Sequence, residues 1–180
     1  MKKGIKIKIN RKGFSLIEMM VALGILSLII IGLVTFFSGG TRAWVTGQYQ
    51  LEAQRNARLA MDRMVKEIRE GKNVISDSNT SKIKVDYLDS FAKDPVTYKL
   101  NGTNLEREVN SSSNPVINNV QSLTFKYFDS SDAEIFSVTE TDAPKISKIR
   151  IVLKVDVDKD DSPDITLNTD VNLRNYGYGL

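Results

Sequence analysis

The sequence predicts an α+β protein: a long N-terminal helix packed on an antiparallel β-sheet. Three observations carry this. The chain runs without interruption through apolar residues from Gly13 to Phe37. From Gln48 to Glu70 apolar residues recur at helical spacing, with no proline or glycine. After Asn73 the period changes from 3.6 to 2.

The first run exceeds the roughly 20 residues that a helix needs to cross a bilayer. Helix is the form that lipid permits for a single segment, because hydrocarbon offers no partner to bare N–H and C=O groups. Between Glu18 and Arg42 there is no charge. Glu18 itself is the anomaly, since a carboxylate in a membrane segment costs about 2.5–3.5 kcal/mol on insertion scales. Two readings follow. Glu18 lies one turn inside and snorkels to the headgroups, or it awaits a cation inside the membrane.

Before the helix stand Lys2, Lys3, Lys6, Lys8, Arg11 and Lys12, with no acid. The positive-inside rule therefore places the N-terminus in the cytoplasm and the rest outside. The run is too long for an ordinary secretory signal, and no small-x-small cleavage site follows it.

Gly39-Gly40 is a place where the helix is expected to bend or loosen. Trp44 suits the interface beyond. Ala57, Met61, Met64 and Ile68 then form an apolar stripe, widened by Ala60 and Val65, which reads as the face against a sheet. Asp62–Lys66, Arg63–Glu67 and Lys66–Glu70 stand at i, i+4 on the other side. Gly71 is placed to end the helix as its C′ residue.

The strands follow. Ile83, Val85 and Tyr87 alternate, as do Val96, Tyr98 and Leu100. Asn101-Gly102 turns the chain into a run containing Leu105 and Val109, a hairpin around NGTN. Asn110 to Asn114 reads as a loop. Leu123, Phe125 and Tyr127 mark a strand. Asp129 to Pro144 reads as irregular apart from Ile135-Phe136. Ile149, Ile151, Leu153 and Val155 form the clearest strand. Ile165, Leu167, Val171 and Leu173 form the last, with a register slip expected between Leu167 and Val171.

Composition excludes several functions. The chain has no cysteine and no histidine. That removes disulfide staples, His-based acid–base catalysis, Ser-His-Asp and Cys-His nucleophiles, and most zinc and copper sites. No phosphate-binding glycine motif is present, and no small-molecule substrate is expected. The net charge is +3, but removing the six leader cations leaves −3. The mature chain therefore has no overall electrostatic case for nucleic acid.

One acidic cluster remains: Asp156, Asp158, Asp160, Asp161 and Asp164, between the last two strands. Alternate carboxylates can converge on calcium. An EF-hand begun at Asp156 needs Gly at its sixth position and Glu at its twelfth, where this chain has Asp161 and Leu167. The reading is an acidic hairpin loop, with calcium as the lesser alternative and no cofactor required.

The segment Arg11-Lys12-Gly13-Phe14-Ser15-Leu16-Ile17-Glu18 resembles the processing site of type IV prepilins and type II secretion pseudopilins. The resemblance implies cleavage between Gly13 and Phe14 by a prepilin peptidase/methyltransferase and N-methylation of Phe14. It implies that Glu18 neutralises the Phe14 amine of a neighbouring subunit during assembly, which offsets two costly buried charges. It implies other pilins or pseudopilins as partners through helix packing, and an assembly platform in the membrane. The divisions become 1–13 leader, 14–38 transmembrane helix, 39–71 exported amphipathic helix and 72–180 β-rich globular domain. Leu105-Glu106-Arg107 and Leu173-Arg174-Asn175 resemble, more weakly, the J-type minor pseudopilin and PilW-like minor pilins, which implies a minor subunit of a tip or initiating complex. The alternatives are a major pilin, a competence-type DNA-uptake subunit, or an uncleaved signal-anchored membrane protein.

Overall fold

The computed structural model describes residues 13–87 and 94–173. The leader up to Lys12, and Arg174-Asn175 of the closing motif, lie outside the described residues. The chain divides into two units, Met1–Gly47 and Gln48–Leu180. Helix α1 covers Leu16–Glu70. It continues through Gly39-Gly40, so the expected loosening does not interrupt it: two glycines weaken a helix by about 1 kcal/mol each, too little to end one of this length.

In the second unit, Ala57, Ala60, Met61, Met64 and Ile68 are the buried residues of α1. They join one core with the strands. Met64 and Ile68 are fully buried, each worth about 1.5–3 kcal/mol. Of the expected i, i+4 ion pairs, Arg63–Glu67 forms at 3.4 Å. Lys66 has no ion pair among the described residues.

Gly71 follows the helix as expected, but not for the expected reason. Gly102 is the one glycine of positive φ among the described residues, so Gly71 is no left-handed cap. A Cβ on Gly71 would meet Val85 Cγ1 at 2.1 Å and the Ile68 carbonyl oxygen at 3.0 Å. Glycine is needed there because the helix end meets a strand at close range.

The strands form two antiparallel sheets rather than one. The first has the order β1-β2-β3-β4-β5: Asn73–Val74, Lys82–Asp86, Val96–Asn101, Asn104–Val109 and Ser112–Ile117. The second has the order β7-β6-β8-β9: Glu134–Ile135, Val120–Phe128, Lys148–Val155 and Ile165–Asn172. Strict alternation of burial along β2 and β8 matches the period-2 reading. Tyr127 of β6 ties the sheets together: its hydroxyl donates to the Asn79 carbonyl at 2.8 Å, and burial pushes its phenol up.

Two local expectations change. The Asn110–Asn114 stretch is not a loop. Asn110 and Ser111 take φ of 50° and 62°, a two-residue turn of the I′ kind, and β5 follows with Val109 paired to Ser112. Pro115 is tolerated within β5 because β5 is an edge strand. In the preceding hairpin, Gly102 takes φ 59° between the paired Asn101 and Asn104. The register slip in β9 is absent: every residue from Ile165 to Asn172 pairs in sequence with β8. Thr169 fills the inward place between Leu167 and Val171, so a polar residue interrupts the apolar count without interrupting the period.

Candidate functional site

The first candidate is the head of α1. Ser15 precedes the first helical residue, Leu16. The backbone N–H of Ser15 donates to Glu18 Oε2 at 2.9 Å, and the Met19 N–H donates to the Ser15 carbonyl at 3.2 Å. Glu18 thus sits at the third helical position and reaches back to the N-cap, one half of a capping box. The signal Ser-x-x-Glu was present in the sequence, and reading Glu18 as a membrane anomaly alone passes over it. The bond satisfies one helix-end N–H that lipid would leave bare.

Every residue from Gly13 to Phe37 is exposed in this unit. That is far more contiguous apolar surface than a water-soluble monomer shows. The helix is long and apolar enough to cross a membrane. Three of its hydroxyls are satisfied internally: Ser27, Thr35 and Thr41 donate to the carbonyls of Gly24, Ile31 and Phe37 at 2.7, 2.9 and 2.8 Å. Such back-bonding lets a helix carry hydroxyls in lipid. Glu18 is left as the one charged side chain between Gly13 and Thr41.

The second candidate is the acidic loop between β8 and β9. Asp156, Asp158 and Asp164 each place a carboxylate oxygen within 4.8 Å of the others. Two of the three are engaged by the loop's own backbone. Buried Asp156 accepts the N–H of Lys159 at 2.7 Å and of Asp161 at 3.0 Å. Asp164 accepts the Val157 N–H at 2.7 Å and the Gln50 side-chain amide at 3.3 Å. Asp158 is raised above the usual aspartate range by desolvation and by the charges of Asp160 and Asp164. Asp160 accepts the Ser162 N–H at 2.8 Å, and Asp161 is exposed. The sequence-predicted acids therefore form the folded hairpin loop they were read as, and the loop supplies its own donors.

The third candidate, the Leu105-Glu106-Arg107 motif, has structural partners. Leu105 is fully buried. Glu106 accepts from Asn101 and Ser113 at 2.8 and 2.6 Å. Arg107 Nε donates to Glu67 Oε2 at 2.9 Å.

Residues 8–34 match the family described as the prokaryotic N-terminal methylation motif. No curated protein matches the chain. The matched residues are those around the helix head described above. The chain thus carries a prepilin-type processing and methylation signal, leading directly into a membrane-capable helix with a β-rich unit after it.

Proposed function

We propose that this chain is a structural subunit of a type IV pilus or type II secretion pseudopilus. In this reading it enters the cytoplasmic membrane with its N-terminus in the cytoplasm and its β-rich unit outside. A prepilin peptidase/methyltransferase cuts between Gly13 and Phe14 and methylates Phe14. The subunit is then drawn from lipid into a filament through the assembly platform, with its apolar helix packed on those of other pilins. The observation that carries the reading is Gly13-Phe14 with Glu18 at the head of an exposed, uninterrupted apolar helix.

The exposed apolar side chains explain why such a helix must stay among lipid or like helices, since each is worth about 1.5–3 kcal/mol away from water. Glu18 has spare acceptor capacity beyond its bond to Ser15, because a carboxylate takes more than one hydrogen bond. A neighbour's methylated Phe14 amine fits that capacity and sets the axial register. Within the class, the Leu105-Glu106-Arg107 resemblance supports a minor subunit of a tip or initiating complex. The test is the intact mass of the protein from membranes with and without the peptidase. Loss of residues 1–13 with gain of one methyl group, only when the peptidase is present, is the expected result. A full-length mass in both samples would leave a signal-anchored protein instead.

A further inference from the structure

In the second unit, the first turns of α1 border a cleft that the core does not fill. Tyr49, Glu52, Ala53 and Asn56 stand at i, i+3, i+4 and i+7, so they share one side of the helix. One turn beyond Ala53 and Asn56, Ala57 and Ala60 are buried. Before them the core ends, and a cleft of about 600 Å³ opens. Asn118 and Asn119 line it from the turn between β5 and β6, and Lys159 lines it from the β8–β9 loop. Ile117, Val155 and Val157 supply apolar surface.

The polar side chains around this cleft are unclaimed. Those of Tyr49, Glu52, Asn56, Asn118, Asn119 and Lys159 make no hydrogen bond or ion pair among the described residues. The backbone beneath two of them is nevertheless fixed. Buried Asp156 donates its N–H to the Asn119 carbonyl at 3.0 Å, and its carboxylate accepts the Lys159 N–H at 2.7 Å. Asn119 is held in the left-handed region at φ 59°, a conformation that persists where the surroundings impose it. Groups carried on fixed backbone lose less freedom when they bind. A second cavity of about 300 Å³ adjoins the first, and Asn119 and Lys159 line both. The cleft is therefore elongated.

We infer that this cleft binds a linear, uncharged oligosaccharide. Tyr49 offers a flat ring, 60% exposed, to the apolar face of a sugar. The carboxamides of Asn56, Asn118 and Asn119 each present donors and an acceptor, which matches hydroxyl groups that are both. Glu52 balances Lys159 and Asp161 borders the second cavity, so a phosphate-bearing polymer finds no excess of cations. An extended peptide would add to the free edge of β5, but Pro115, which lines the cleft, has no N–H to give it. The elongated shape suits a run of sugars. The ligand is bound and not turned over. The inference goes beyond the assembly reading and does not depend on it.

The full-length chain is held in a detergent without a sugar head group, and maltohexaose, cellohexaose and chitohexaose are each added at millimolar concentration. Saturation-transfer NMR reads contact with the sugar protons, and titration gives the dissociation constant. At least one of the three is expected to bind. Tyr49→Ala should weaken that binding about tenfold, the scale of losing an aromatic anchor, while Tyr49→Phe keeps it. Ala53→Trp, which fills the cleft, should abolish it. Neither position belongs to the buried core, so the melting temperatures should stay near that of the natural chain. If Ala53→Trp fails to fold, the contrast between Tyr49→Ala and Tyr49→Phe decides. No transfer to any of the three sugars overturns the inference. Binding that survives Ala53→Trp, or that is indifferent to the ring at position 49, puts the sugar elsewhere and overturns it too. Binding of a single-stranded oligothymidylate that Ala53→Trp abolishes, with no sugar bound, assigns the cleft to nucleic acid and also overturns it.

Discussion

Glu67, near the end of the long helix, holds Arg107 of the fourth strand across 40 residues of sequence, with Arg107 Nε 2.9 Å from Glu67 Oε2. The Tyr98 hydroxyl donates to the same oxygen at 2.7 Å, and Arg63 adds a contact at 3.4 Å. Both members of the pair are largely covered, with side-chain exposures of 14% for Glu67 and 21% for Arg107. Burial by itself would raise the Glu67 carboxyl, but Arg107 and Tyr98 outweigh it and hold the group below the ordinary value of 4.5. Burial and the Glu67 carboxylate push the Tyr98 phenol up. The cluster joins helix to sheet by charge and hydrogen bonding where the apolar stripe ends.

Replacing Glu67 by Gln should therefore destabilise the protein by about 2 kcal/mol, the scale of a hydrogen bond to a charged group. The sign with pH follows from the depressed carboxyl. Its contribution is present above the unfolded value near 4.5 and is lost as pH falls through the lower folded value. Thermal unfolding in detergent between neutral and acidic pH should show a steeper loss for the natural chain than for Glu67→Gln. Parallel curves would remove Glu67 from the acid response.

Gly71→Ala should cost about 1–3 kcal/mol by overpacking, because its Cβ would lie 2.1 Å from Val85 Cγ1. Val85→Ala removes the obstructing methyl at the price of a small cavity. In the double variant the two losses should sum to less than their separate values, a coupling that unfolding of the four proteins measures directly. Strict additivity would mean that the glycine answers some other need.

In the β8–β9 loop, Asp156→Ala should cost about 1–3 kcal/mol, since two N–H donors beside a buried carboxylate lose their acceptor. Asp158→Ala should leave stability unchanged or slightly higher, because neighbouring like charges already disfavour its ionised form. Because the loop is folded by its own donors, millimolar calcium should not move the melting temperature. A calcium-dependent rise abolished by Asp158→Ala with Asp160→Ala would instead assign an ion to the loop.

Glu18→Ala should be inserted and processed, yet its incorporation into filaments should fall by about two orders of magnitude or more, since an uncompensated buried charge costs about 3–5 kcal/mol. Immunoblots of sheared filaments against membranes measure this. Ser15→Ala keeps the backbone N–H that Glu18 accepts and should assemble normally. Equal incorporation of Glu18→Ala and the natural chain would show that the carboxylate serves only to cap the helix.

Local pattern alone determined the kinds of element and the head of the helix. The apolar run, the stripe of Ala57 to Ile68 and the alternation in β2 and β8 each write a period into consecutive residues, and a period survives whatever surrounds it. The methylation motif was legible for the same reason: Gly13, Phe14 and Glu18 lie within six consecutive residues of the matched stretch. The capping bond between Ser15 and Glu18 was equally local and was hidden only by the membrane cost of the carboxylate. Tertiary structure decided the rest. It set two sheets where alternation showed only strands, because period 2 says which face is buried and nothing of which strand is the neighbour. It turned Asn110-Ser111 into a hairpin and made an edge strand of the polar residues beyond. It gave Gly71 its reason through Val85, and Glu67 its partner in Arg107.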